Sequence, residues 1–593
     1  RTRDMLKGAD GTADILADCF SLEMWGGATF DTAYRFLHES PWERLEMLRE
    51  KIPNIPFQML LRGSNLVGYA SYPDNLVRAF IAESAREGID VFRVFDSLNW
   101  LPNMETAMDE VLRQGKFLEG TVCYTGDILD PTRDRYTLEY YVNFAKELER
   151  RGAHMLAIKD MSGLLKPYAA KKLVSTLKQE IGIPIHLHTH NTTDNQIATY
   201  LMAAEAGVDV VDTAIGPLAN LTSQPSMNAV VESLRGQERD TGFDPQRLQE
   251  LADYWADVRL RYESFDKGLK VPVTDIYRYE IPGGQYTNLQ PQVESLGLGH
   301  RFAEVKEMYR TVNIMLGDII KVTPSSKMVG DLAIFMVQND LTPENIVERG
   351  ETLAFPDSVV SYFKGMMGQP PCGFPKDLQR VVLKGEKPIT GRPGDLLPPV
   401  DWDQLRREIV KFYPNYEEPR SLISYAMYPK VYEEFISHRK EYGYIMRMGS
   451  HVFFNGMAVG EMNKINIEDG KTLMIKYIGL GDRNDDGTRN VQFELNGMRR
   501  EVSVPDPTAT DTAKTVVMAD PNDKSQAGAS IPGMVSKVNV KPGDQVKVND
   551  VLAVIEAMKM ETSVVARMDG TIDEVFVKGG QTVKAGELLL TIK

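Results

Sequence analysis

Two histidines separated by one residue, His188 and His190, close an apolar run that reads Ile185-His186-Leu187-His188-Thr189-His190. On a strand, residues two apart point to one face, so the two imidazoles converge in the way that suits Zn²⁺ or another divalent first-row ion. Lys159 closes an earlier run, Ala157-Ile158-Lys159-Asp160-Met161. As an ammonium it is a poor metal ligand; carbamylated, it offers oxygen. Arg62, directly after Leu60-Leu61, carries the planar fork that matches a carboxylate. Far along the chain, Ala557-Met558-Lys559-Met560 presents an amine placed to carry a covalent group. Each also has a plainer reading: a hydrogen-bonded strand end, a structural ion pair, a surface lysine beside two methionines.

The surrounding elements narrow the choice. Lys559 falls where two copies of one pattern meet. Gly533, Val535, Val538, Lys541, Gly543, Val546, Leu552 and Ile555 return about 37 residues later as Gly570, Ile572, Val575, Lys578, Gly580, Val583, Leu589 and Ile592. Apolar residues two apart, broken by Pro542-Gly543 and Gly579-Gly580, predict short strands and tight turns, hence a small two-fold β-sandwich with Lys559 at a hairpin tip. Earlier, strand-like runs at 21–27, 56–63, 90–97, 117–126, 154–161, 184–191 and 208–216 alternate with amphipathic helical stretches such as 134–151 and 168–180. That alternation predicts parallel βαβ units and a (β/α)₈ barrel, whose active sites lie at the carboxyl ends of the strands. Seven strands are present where eight are needed. The chain opens in a helix-like stretch, 5–19, so the first strand is expected to be the missing one and the chain a piece of a longer protein.

A length of 593 residues with 42% apolar and 25% charged residues implies several domains with ample cores. Net charge of −15 argues against a nucleic-acid or anionic-membrane partner, which would need a basic face. No apolar run reaches the roughly 18 residues of a membrane span. Three scattered cysteines give neither a disulfide framework nor metal spacing and imply a reducing compartment, the cytoplasm or the matrix of a mitochondrion.

The Ala-Met-Lys-Met repeat resembles the carrier domain of biotin-dependent carboxylases, and the resemblance implies biotin amide-linked to Lys559. The segments Ile158-Lys159-Asp160-Met161-Ser162-Gly163, His186-Leu187-His188-Thr189-His190, Glu23-Met24-Trp25-Gly26-Gly27, Thr222-Ser223-Gln224-Pro225 and Lys321-Val322-Thr323-Pro324-Ser325-Ser326-Lys327 resemble the carboxyltransferase part of the pyruvate carboxylase family. That resemblance implies a divalent metal (zinc, manganese or magnesium) on His188, His190 and carboxylated Lys159. It makes Arg62 the ligand of pyruvate's carboxylate, Tyr69 and Asp31 orienting groups, Thr323 a proton relay, and Ser326 and Lys327 donors to biotin's ureido oxygen.

The implied reaction is transfer of CO₂ from carboxybiotin to pyruvate, giving oxaloacetate. A biotin protein ligase would load the carrier, and the full-length enzyme would be a homotetramer. No ATP-binding signature is present. The implied domains are a barrel with a helical funnel over residues 1–400, an allosteric or tetramerisation domain over 401–504 with strands over 452–504, a flexible linker over 505–530 and the carrier over 531–593. Two departures stand out. The family's aspartate ligand, arginine and glutamine of the first strand have no counterpart, and Asn191-Thr192-Thr193-Asp194 replaces Asp-Thr-Ser-Gly, an amide expected to weaken support of the histidines. The alternatives are the α-subunit of oxaloacetate decarboxylase or a transcarboxylase, a Claisen-type metal lyase, or a catalytically impaired biotinylated scaffold.

Overall fold

The computed structural model describes every residue except 267, 469, 485–486, 507–516, 521–522 and 558–559. Lys559 and parts of the 505–530 span therefore lie outside the described residues.

Seven parallel strands pair in chain order: β1 (Leu22–Trp25), β2 (Phe57–Leu61), β3 (Val91–Val94), β4 (Phe117–Cys123), β5 (Met155–Asp160), β6 (Ile185–Thr189) and β7 (Val210–Val211). Strands β2, β3 and β5 are buried along their whole length, as parallel strands covered on both faces must be. Helices between the strands begin at Pro41, Pro102 and Pro167, where a fixed φ and a missing N–H cost nothing. The helix Leu138–Arg150 starts four residues later than its pattern predicts, because Thr137 caps it by accepting from the Tyr140 amide at 3.3 Å.

The sheet curls. Arg93 of β3 reaches Asp212, the first residue past β7, and the ring of Phe20, just before β1, lies 5.8 Å from that of His186 on β6. Among the described residues β1 and β7 do not pair with each other or with an eighth strand. The helix Thr2–Ile15 packs against both Pro41–Lys51 and Pro245–Leu260, so the outer ring of helices is continuous there.

A block of aromatics fixes the loop after β1. Trp25 and Phe30 have ring centroids 4.8 Å apart, Trp25 and Trp42 4.9 Å, and Trp42 and Phe80 5.6 Å, nearly all edge to face and all buried. This block holds Gly27 and Asp31 on the carboxyl face of the sheet. Over that face lies a helical layer with its own core of Leu289, Val312, Met328, Leu332 and Tyr362. Two ties fasten it down, Glu280 to Arg133 at 2.6 Å and the Ser325 hydroxyl to Ser97 O at 3.2 Å, and Lys321 pairs with the same Glu280 at 2.8 Å.

Helices Trp402–Phe412, Arg420–Met427 and Pro429–Tyr442 lead to a four-stranded antiparallel sheet ordered β11-β10-β9-β8, with β8 Met462–Glu468, β9 Lys471–Arg483, β10 Thr488–Leu495 and β11 Met498–Pro505. Strands were expected from residue 452. Instead Ser450–Asn455 is a helix, set off by Gly449 and stopped at Gly456, whose φ of 70° few other residues adopt without strain. The C-terminal unit has two four-stranded sheets. One is ordered β12-β19-β17-β14 (Gln526–Gly528, Leu588–Ile592, Gly570–Val575, Gln545–Val546), the other β16-β15-β13-β18 (Met560–Val565, Val551–Ala557, Gly533–Val538, Thr582–Val583). The repeat maps strand for strand, with β13, β14 and β15 returning as β17, β18 and β19. Among the described residues no helix is long and apolar enough to cross a membrane.

The aromatic block sets an expectation. Phe80→Ala should cost about 3–5 kcal/mol, as truncating a fully buried ring does, and the loss would be read from the denaturant midpoint of the barrel's unfolding. A cost well below 1 kcal/mol would mean the block is not what holds that loop.

Candidate active site

Strands β5 and β6 are in register so that Lys159 stands beside His188, while His190 is the first residue past β6. All three are buried. The two imidazole centroids lie 5.1 Å apart with planes at 76°. His190 Nδ1 lies 2.7 Å from the carbonyl oxygen of Thr222; a carbonyl only accepts, so Nδ1 carries the hydrogen and Nε2 keeps its lone pair. His188 Nδ1 lies 2.7 Å from a carboxylate oxygen of Asp212, and its Nε2 is buried without a hydrogen-bond partner.

Burial, reinforced by the Lys159 charge, drives His188 well below the ordinary imidazole range and His190 to about 4, so both are neutral. Burial, with the Arg93 charge acting in the same direction, lowers Lys159 to about 8. Two neutral imidazoles with free Nε2 atoms and an amine of reduced basicity fit a divalent ion. Among the described residues no group of three or more His, Cys, Asp or Glu side chains is arranged to hold a metal ion, and Lys159 stands beside the two imidazoles.

A charge network inside the barrel sets this geometry. Arg93 Nε donates to Glu119 at 2.5 Å, and its Nη1 pairs with Asp212. His186 sits between the same two acids, Nδ1 against Glu119 and Nε2 2.7 Å from Asp212. Burial alone would neutralise all four groups. Yet Glu119 and Asp212 hold His186 up at about 8, Arg93 and His186 hold Glu119 down at about 2, and Asp212 stays well below the usual carboxylate range. Two cations thus meet two anions, and Asp212 Oδ2, which receives Arg93, also lies 2.7 Å from His188 Nδ1 and orients that ring.

Asn191 has a different task from the one its sequence suggests. Its side-chain NH₂ donates to Asn220 Oδ1 at 2.7 Å and its Oδ1 accepts from the Gln196 amide, so it ties two loops together. Asp212 and the Thr222 carbonyl support the histidines instead. Asp212, Arg93 and Glu119 were not singled out from sequence; the available signal was that Asp212 lies within the seventh predicted strand, 208–216.

A second cluster surrounds Arg62, the first residue past β2. Its guanidinium donates to Gly27 O at 2.6 Å and Gly68 O at 3.2 Å, faces the Tyr69 ring at 5.5 Å, and leaves Nε without a partner. A Cβ on Gly27 would stand 2.5 Å from Arg62 Nη2, so this approach requires glycine. No carboxylate pairs with Arg62 among the described residues. Asp31 is buried nearby and accepts from Arg35 at 3.1 Å. The third cluster lies at the start of the helix Ser325–Gln338: Thr323 half-buried, Ser326 buried with its hydroxyl unpartnered, and Lys327 paired with Asp331 at 2.6 Å. Gly283 closes over the histidines, and a Cβ there would stand 2.9 Å from His190 Nδ1.

Three family models match the chain: an HMGL-like model over residues 131–254, a conserved carboxylase domain over 276–476, and a biotin-requiring enzyme model over 523–592. The solved carboxyl transferase domain of Rhizobium etli pyruvate carboxylase, determined with pyruvate and biocytin, superposes with a TM-score of 0.83 at 48% identity, covering 86% of each chain. The chain belongs to the pyruvate carboxylase family. Pyruvate carboxylase of Staphylococcus aureus is 51% identical over 594 residues, and the human mitochondrial enzyme 46% over 596. Each match covers all of this chain and 52% or 51% of the relative, so the chain spans about half the length of the curated relatives it matches. Membership rests on the barrel, the helical layer and the β-sandwich together.

Replacing Asp212 with Asn should weaken binding of a divalent ion by about 10–100-fold, the usual effect of removing a carboxylate that orients a histidine ligand. Titration against a competing chelator measures it; unchanged affinity would remove Asp212 from the metal's support.

Proposed function

We propose that the chain carries out the second half-reaction of pyruvate carboxylase, moving a carboxyl group carried by biotin on Lys559 to pyruvate to give oxaloacetate. The observation that carries the reading is Arg62: a buried cation that meets no carboxylate among the described residues, on the same face as two neutral imidazoles whose Nε2 lone pairs are free. A buried charge is costly unless an anion meets it, and a small carboxylate matches the fork.

In this reading Arg62 holds the carboxylate of pyruvate, with Tyr69 and Asp31 orienting the reacting groups. Lys159, with a pKa of about 8, has a neutral fraction able to take CO₂ as a carbamate. That carbamate with His188 and His190 would hold a divalent ion, which supplies Lewis-acid stabilisation of negative charge on the keto acid's oxygens. Thr323 accepts a proton from the pyruvate methyl as its own hydroxyl proton passes to N1′ of biotin, because a threonine hydroxyl is too weak a base to act without giving one up. Ser326, whose buried hydroxyl has no partner among the described residues, and Lys327 donate to the ureido oxygen.

Biotin attachment requires a biotin protein ligase, and the ATP-dependent half-reaction belongs to sequence outside this chain. We place the full-length protein as a homotetramer in the cytoplasm, or in the mitochondrial matrix of a eukaryote, without nucleic-acid or membrane partners. The relatives include bacterial and mitochondrial pyruvate carboxylases.

Two measurements test this. In the full-length protein Thr323→Ala should abolish oxaloacetate formation while metal content stays the same; normal turnover would remove the relay. Intact-mass measurement after co-expression with an active biotin ligase should show one biotin, on Lys559, and an unmodified chain would end the proposal.

A further inference from the structure

Lys327 is not held by its own helix alone. Its ammonium donates to Asp331 Oδ2 at 2.6 Å, and the same oxygen accepts from the Ser358 hydroxyl at 2.6 Å. The other oxygen accepts from Gln292 Nε2 at 3.3 Å, and Asp331 is fully buried. Both additional donors come from elements on which the β-sandwich rests. Ser358 opens the helix Asp357–Phe363, against which β16 packs, with Ser563 donating to Asp357 at 3.4 Å. Gln292 lies one turn before Leu296, which packs against the core of the sandwich. Asp331 therefore lies beneath both contacts of the carrier and touches the lysine assigned to the ureido oxygen.

We propose that Asp331 is a positioning residue that couples the seat of the carrier domain to Lys327 through Ser358. The inference rests on the role given to Lys327 above. A seated carrier fixes the helix Asp357–Phe363, the Ser358 hydroxyl shares Asp331 Oδ2, and the ammonium is held where the incoming ring needs a donor. By reciprocity, the state of Asp331 must change how firmly the carrier sits.

Full-length chains test this by comparing biotinylated protein, which uses its own carrier, with unbiotinylated protein supplied with free biotin, both assayed by oxaloacetate decarboxylation. Ser358→Ala should lower turnover with the tethered carrier by about fivefold or more, the low end of measured couplings, and lower turnover with free biotin by clearly less. Asp331→Asn, which keeps shape and removes charge, should raise the KM for free biotin about tenfold, in keeping with the cost of misplacing a positioned group. Hydrogen exchange supplies a readout independent of catalysis: Ser358→Ala should speed exchange over both 357–363 and 560–565. Equal loss with free and tethered biotin in Ser358→Ala, an unchanged KM in Asp331→Asn, or unchanged exchange at 560–565 would each overturn the coupling. A wild-type protein without biotin-dependent turnover would instead overturn the carboxyl-transfer reading, and exchange would still decide the coupling.

Discussion

The site depends on one interaction, the clasp of Arg93 on Asp212 in the interior of the barrel. Asp212 is the hub: it receives Arg93, His186 and His188. An isolated acid at that depth would take up a proton rather than stay charged. Arg93 and His186 prevent this, and because Asp212 remains an anion it fixes the His188 tautomer with Nε2 free. Removing one member would leave a buried charge unmatched, so the four groups stand or fall together. The clasp also spans β3 to the end of β7, which makes the chemistry conditional on the curl of the sheet.

The two layers above and below the site solve different problems. The barrel supplies rigid strand ends, and the aromatic block around Trp25 and Trp42 stiffens the loop that brings Gly27 against Arg62. The helical layer supplies closeness. Gly283 approaches His190 to a distance no side chain would allow, and Ser325 anchors the start of its helix to the loop after β3. Those contacts place Thr323, Ser326 and Lys327 over the strand ends.

Much of this was legible in the sequence where the signal was local. The β-sandwich followed from a repeat that maps strand for strand, and seven strands followed from short apolar runs spaced by helices. What was not legible was non-local. Arg93 and Asp212 are 119 positions apart, and nothing in the residues around either marks them as partners. Asn191 misled because its neighbour His190 is close in sequence, whereas the carbonyl that supports His190 comes from Thr222 in another loop. The helix at Ser450–Asn455 was read as strand since Val452, Phe453 and Phe454 favour β structure, and the glycines that bound it carried the decisive information.

Under the proposed assignment, the charge balance of the two cations would sort their ligands. Arg62 is buried, hydrogen-bonded only to carbonyl oxygens, and paired with no acid among the described residues, so it retains a net positive charge. A carboxylate neutralises it. Lys327 is already neutralised by Asp331, yet an ammonium has three hydrogens and the bond to Asp331 uses one. A fully charged ligand would gain little from a lysine so paired, whereas a neutral carbonyl oxygen needs only a donor and would be penalised beside an unmatched charge. Pyruvate is an anion and the ureido ring is not. Under the proposed assignment the two sites would discriminate by net charge before shape enters, and exchanging the two ligands would leave Arg62 without its anion and press a carboxylate towards Asp331.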